Sequence, residues 1–156
     1  MNENEAKQLS LKLMEISPAA YLTTIDPNGF PHTRAMTNLR NKTQSPHLIP
    51  FFRDQQEDYL IIFSTNTSSS KVEQVKGNPK VSVYYSYPEK WQGVMFGGEI
   101  EIVPDEKLKK AIWEDGMEKY YPSGYNDPDH TILRLHPQIA KGWDGQRFTT
   151  FSFKIK

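Results

Sequence analysis

The residues best placed for specific chemistry lie in one stretch, Phe63-Ser-Thr-Asn-Thr-Ser-Ser-Ser-Lys71. An apolar run, Tyr59-Leu-Ile-Ile-Phe63, leads into it, and the helical pattern Lys71-Val-Glu-Gln-Val-Lys76 follows. Such a join offers side-chain hydroxyls, one cation and the free N–H groups of a helix start, which together make a seat for a phosphate. A plain helix cap accounts for the same residues. Ser70 and Glu73 have capping-box spacing, Glu73 would oppose a nearby anion, and Gly77 followed by Pro79 ends the helix. Arg34 is the second candidate cation. On an extended strand it shares a face with His32 and Met36, and a phosphate dianion would be well held if that face met Lys71.

Other chemistries find less support. His32, His47, His130 and His136 are scattered, with no pair at helix-face metal spacing, so no metal site is expected. Neither a glycine-rich phosphate loop before Lys71 nor a dinucleotide fingerprint is present. No nucleophile-elbow pattern occurs, which leaves a Ser–His–Asp hydrolase without a motif. Cysteine is absent, which excludes disulfides, thiol catalysis and thiolate metal sites and makes a cytoplasmic setting the default.

Positioning these residues requires a mostly β chain. The spacing of Leu9, Leu13 and Ile16 predicts an amphipathic helix from about Asn4 to Ile16, stopped by Pro18. Ala20–Ile25 and Phe30–Leu39 flank Asp26-Pro-Asn-Gly29 and read as a hairpin. The polar stretch Arg40–Glu57, with Pro46 and Pro50, reads as a loop. Tyr59–Ser64, Val81–Tyr87, Val94–Val103, Thr131–Leu135 and Phe148–Ile155 read as strands. Gly97-Gly98 within the longest marks a bulge or a close backbone approach. A helix is predicted from Asp105 through about Tyr121, and Pro122–Asp129 as a loop. With 156 residues and no repeat or linker, the expectation is one domain over 1–156, a small barrel or sandwich. Lys+Arg 19 balance Asp+Glu 19, so no net field draws in nucleic acid or an anionic membrane. No apolar run is long enough to span a bilayer.

Taken in order, these motifs resemble a known family. A strand, the Asp-Pro-Asn-Gly turn, Arg34-Ala-Met-Thr-Asn-Leu39, and then Phe63-Ser-Thr-Asn through Ser69-Ser-Lys71 are similar to the FMN-binding split barrels related to pyridoxamine 5′-phosphate oxidase, in particular the general stress protein branch. The resemblance covers roughly Pro18 to Trp143. It implies a mainly β fold, a six-stranded antiparallel split β-barrel with a few flanking α-helices, and FMN as cofactor. It places Arg34 on the FMN phosphate and the backbone of Ala35, Met36 and Thr37 along the flavin edge. Ser64 and Thr65 match the family's Tyr-Thr pair. Ser69, Ser70 and Lys71 match its Ser-Arg-Lys, with a hydroxyl replacing the arginine. Gln92 and Trp143 match residues that reach the flavin of the partner subunit, so a homodimer with flavin at the interface is implied; a buried plug of the barrel accounts equally well for Trp143. The large rings Trp91, Trp113, Tyr120 and Tyr121 are further candidates for that interface, which is expected to use barrel strands and the helix carrying Trp113.

Two departures narrow the implied function. Leu39 stands where the oxidase has a lysine for its substrate's phosphate, and Gly145-Gln-Arg-Phe-Thr149 lacks the oxidase's terminal Arg-x-His pair. Oxidation of pyridoxamine 5′-phosphate is therefore not expected. The implied activity is a flavin-dependent oxidoreductase or reductase acting on an unknown small molecule. The alternative is a flavin-binding, storage or sensing module without catalysis. No catalytic acid or base is assigned, because the flavin itself carries the electron chemistry.

Overall fold

Asn2 opens the first helix with a reciprocal cap: its side chain accepts the Glu5 N–H, while the Glu5 carboxylate accepts the Asn2 N–H. The computed structural model describes residues 1–156, and this helix, α1, spans Glu3–Ile16. Leu13 and Met14 are fully buried on its inner face. At its end the Ser17 hydroxyl bonds the Leu13 and Ser86 carbonyls at 2.7 and 2.9 Å.

Strands β1 (Ala19–Ile25) and β2 (Pro31–Thr37) form the expected hairpin. The Asp26 carboxylate holds its turn by accepting the Asn28 and Phe30 N–H groups. β2 stops before Leu39 because Asn38 turns inward, donating to the Met14 and Ser17 carbonyls. The stretch predicted as an open loop from Arg40 contains a 3₁₀ turn at Pro46–Leu48 and a short helix, α2, at Ile49–Arg53. Both prolines, taken as breakers, stand at first-turn positions where the missing N–H costs nothing.

The chain continues through β3 (Ile61–Asn66), α3 (Ser70–Gly77), β4 (Lys80–Tyr87), β5 (Gln92–Val103), α4 (Glu106–Ala111), β6 (His130–Leu135), β7 (Ile139–Asp144) and β8 (Thr149–Lys154). The helix after Asp105 does not reach Tyr121. It ends once Ile112 is buried against Leu108 and Ile132, and only a 3₁₀ turn at Met117–Lys119 follows. The sequence does not predict strand β7, because Lys141-Gly142 breaks its apolar pattern. Gly142 is nonetheless required there: a Cβ would lie 2.1 Å from the Phe151 ring and 2.7 Å from the Gly93 carbonyl oxygen.

All ladders are antiparallel. Six strands run β2-β1-β4-β5-β6-β3, and β7 and β8 branch from β5. The sheet curls around a core that includes Leu22, Phe63, Val83, Tyr85, Phe96 and Leu133, giving the antiparallel split-barrel architecture, with α1 packed on β4, β5, β7 and β8. β5 belongs to both halves. Its first part pairs with β7 and its last part with β6. Between Ile100↔Leu135 and Gly97↔Ile139, three steps on β5 face four on the opposite chain, a one-residue bulge. Gly97 and Gly98 permit it, since Cβ atoms there would lie 3.1 Å from the side chains of Ile139 and Leu135. The path's ends, β2 and β3, approach each other without a ladder and leave a seam. No helix is long and apolar enough to cross a membrane.

Candidate functional site

The seam brings the two predicted cations together. Arg34 faces inward because its register partner is the buried Leu22 of β1. Its guanidinium is held by three neutral acceptors. Nη1 donates to Thr24 Oγ1 at 2.6 Å and to the Leu22 carbonyl at 3.3 Å, and Nη2 donates to Gln74 Oε1 at 3.2 Å. The Thr24 hydroxyl in turn donates to the same Gln74 oxygen at 2.5 Å, closing a ring of hydrogen bonds. Lys71, three residues before Gln74 on α3, sends Nζ to Thr65 Oγ1 at 3.0 Å.

Neither Arg34 nor Lys71 has a carboxylate partner. Burial, and then the adjacent Arg34 charge, push the Lys71 ammonium below its usual range. Burial also lowers Arg34. Two half-buried cations are thus held near each other on neutral partners, an arrangement that costs stability and that an anion would relieve.

The start of α3 borders this pair. Its N-cap is Ser69, one residue earlier than the predicted capping box, and no side chain caps the helix. Ser70 is exposed and Glu73 turns outward to Lys76 at 3.0 Å, so the carboxylate does not oppose an anion. The Ser69 Oγ is buried without a hydrogen-bond partner. Buried hydroxyls are rarely left unpaired, so this atom fits a site that receives a further acceptor or donor.

Ser64 and Thr65 separate, because neighbouring strand residues point to opposite faces. Thr65 joins Lys71, whereas the Ser64 hydroxyl lies 2.8 Å from His130 Nε2. His130 is fully buried beneath Tyr121 and Trp113, with Nδ1 2.6 Å from the Tyr125 carbonyl. That carbonyl requires a proton on Nδ1, so Nε2 accepts from Ser64. Burial pushes the His130 imidazole down, which keeps it neutral.

The remaining predicted residues lie elsewhere on the chain. Met36 is buried next to Ala20 in register, while Ala35 and Thr37 face outward. Gln92 Nε2 donates to the buried Asp144 at 3.2 Å. Trp143, 40% exposed, stands beside Gly93 on the outer face of the same sheet. Of the rings read as interface candidates, Trp113 and Tyr121 pack on His130 within the chain, and Trp91 and Tyr120 remain exposed. Thr24, Gln74 and His130 escaped the sequence reading. Thr24 was legible as an inward polar residue two after Leu22, and Gln74 as the residue one helical turn from Lys71; nothing local marked His130.

Comparison with known proteins decides the family. The model of pyridoxamine 5′-phosphate oxidase-like proteins matches residues 12–156. The chain belongs to this family. Among solved structures, this oxidase-like chain is similar to a Clostridium acetobutylicum protein related to general stress protein 26 of Bacillus subtilis, at 30% identity and TM-score 0.71, covering 99% of this chain and 97% of that one. General stress protein 26 of Bacillus anthracis shares the fold at 16% identity and TM-score 0.71, covering 97% and 99%. An F420 reductase does so at 22% identity and TM-score 0.55, covering 83% and 93%. No curated relative matches the chain.

Proposed function

We infer that this family member binds FMN by its phosphate at the seam and serves as a flavin-dependent oxidoreductase on a small molecule, in a general stress response. One observation carries the reading: Arg34 and Lys71 are adjacent, half-buried and without carboxylate partners. The unpaired Ser69 Oγ at the start of α3 fits the same group. Arg34, Lys71, Thr65, Ser69 and Ser70 would hold the phosphate, and the backbone of Ala35, Met36 and Thr37 would run along the flavin edge. Ser64 would contribute through its backbone, since its hydroxyl is engaged by His130. Flavin supplies hydride and single-electron transfer when bound. The chain's own part is to anchor, orient and shield.

Gln92 and Trp143 would act on the flavin of a second copy, in a homodimer. Supporting this, Tyr21, Tyr84 and Trp143 are 38, 41 and 40% exposed on one sheet face, where Tyr21 pairs with Tyr84. Aromatic residues are enriched at such interfaces. A cytoplasmic setting completes the proposal. The second reading, flavin binding without turnover, draws on the same geometry, because the groups bonded to Arg34 and Lys71 are all neutral and none is an acid or base for catalysis.

Titration of the purified protein with FMN and with riboflavin, followed by visible absorbance and flavin fluorescence, tests the proposal. Saturable FMN binding much tighter than riboflavin binding is expected. Failure to bind any flavin would refute it. Turnover of bound flavin with reduced nicotinamide and air then separates oxidoreductase from binding module.

A further inference from the structure

Gln74 is the one acceptor that touches both Arg34 and the residue bracing Arg34. Its Oε1 takes Nη2 of Arg34 at 3.2 Å and the Thr24 hydroxyl at 2.5 Å, while Thr24 takes Nη1 at 2.6 Å. The roles are fixed by the guanidinium, which has no acceptor: the Gln74 atom that takes Nη2 must be an acceptor, so the Thr24 hydroxyl, which meets the same atom, donates to it. The oxygen of the Gln74 amide, not its nitrogen, must therefore face the ring. Gln74 reaches it from the helix that bears Lys71, whereas Thr24 and Leu22 reach it from β1. One carboxamide thus ties the barrel cation to the helix that carries Lys71.

We propose that Gln74 is the residue that makes this seam specific for phosphate-bearing ligands: it positions Arg34 through an uncharged oxygen and so leaves the guanidinium charge unneutralised. A carboxylate in the same place would make equal or better hydrogen bonds to Arg34 and Thr24. It would also form an internal ion pair within a hydrogen bond of both cation-bearing elements and repel an incoming dianion. The site's charge therefore depends on an amide in place of an acid, a difference of one atom. The inference rests on the phosphate-anchoring reading above and adds a discriminating residue to it.

The test is Gln74→Glu, with Gln74→Met as a second variant of similar length that lacks the acceptor. FMN and riboflavin affinities are measured for each, with inorganic phosphate as competitor and thermal melting as the fold control. Gln74→Glu is expected to weaken FMN about ten- to hundredfold, as loss of one charge-assisted phosphate contact would. Riboflavin affinity should stay unchanged, and the melting temperature should be unchanged or higher. Millimolar phosphate should compete with FMN on the wild type and far less on the variant. The FMN gap between wild type and variant should narrow as pH falls through the carboxylate range and the new acid protonates. Gln74→Met should lose FMN affinity but not riboflavin affinity, which carries the test if the Glu variant does not fold. Equal loss of both flavins, or FMN binding by Gln74→Glu at wild-type strength, would overturn the inference while leaving the flavin reading intact. A wild-type protein that binds neither FMN nor phosphate would overturn both.

Discussion

Replacing Lys71 by methionine separates a phosphate anchor from a structural lysine, because the two roles move stability in opposite directions. In the ligand-free protein the ammonium makes one hydrogen bond, to the Thr65 hydroxyl, and faces the Arg34 charge. Both burial and that charge depress its pKa, so the folded state holds the neutral amine better than the unfolded chain does. The cost of the charged form is complete at neutral pH. It disappears as pH rises through the depressed value and past the ordinary value of 10.5. Ligand-free Lys71→Met should therefore be as stable as wild type or more so at pH 7, and should lack the alkaline gain that wild type shows relative to it. Binding runs the other way. A charge-assisted contact to a phosphate oxygen contributes on the order of 1.5–3 kcal/mol, which corresponds to about ten- to hundredfold in affinity. FMN should weaken by that factor, and riboflavin, with no phosphate, should not. The assay is fluorescence titration with both flavins beside urea unfolding of the ligand-free proteins at pH 7 and above. Equal loss for both flavins, together with a fall in stability, would show that Lys71 supports the fold and would refute the anchoring argument.

Arg34→Ala should discriminate FMN from riboflavin in the same way, and the Arg34/Lys71 double variant should lose less than the sum of the two single losses, since both act on one group. Sedimentation at micromolar concentration should show a dimer with FMN bound; a flavin-loaded monomer would rule out contributions from Gln92 and Trp143 across an interface. Pyridoxal phosphate formation from pyridoxamine 5′-phosphate under oxygen should be slow or absent, because Leu39 and Gly145–Thr149 offer no clamp for the substrate's phosphate. Turnover of about one per second, ordinary for an enzyme, would reverse that conclusion. His130 should make the segment from Trp113 to Asp129 acid-sensitive. Its folded pKa is depressed by burial, so its contribution is full above the ordinary value of 6.5 and is lost as pH falls through the lower one. Hydrogen exchange in that segment should rise on acidification, and His130→Phe should remove the dependence.

Much of the fold was legible because its signals are local. Alternation in Val81–Tyr87, the Asp-Pro-Asn-Gly turn and the spacing in α1 depend on residues close in sequence. What escaped depends on distant partners. Strand β7 contains a glycine chosen for the approach of Phe151 and the Gly93 backbone, and neither is visible from Lys141-Gly142 alone. The helix after Asp105 has the pattern to continue, but Trp113 is drawn onto His130 and Tyr121 instead. Within the site, Arg34 and Lys71 were legible as charges on one strand face and at a helix start. Gln74 stands one helical turn from Lys71, but an exposed-type residue on a short helix carries no sign that it will accept from Arg34 on another element. Ser64 and Thr65 stand adjacent in sequence, yet the strand's alternation sends one to a buried histidine and the other to the seam.

The sharing of β5 between both halves of the barrel has a consequence for how the chain can be cut. Its first six residues pair with β4 and β7, and its last four with β6. Neither half owns a complete sheet without it, so no proteolytic fragment ending inside Gln92–Val103 should persist as a folded piece. A chain reopened in the segment between Arg40 and Glu57, or between Trp113 and Asp129, keeps that strand whole. Circular permutants with new termini there should assemble, and those opened at Gly97-Gly98 should not, even though two adjacent glycines make that point look the more pliant of the three.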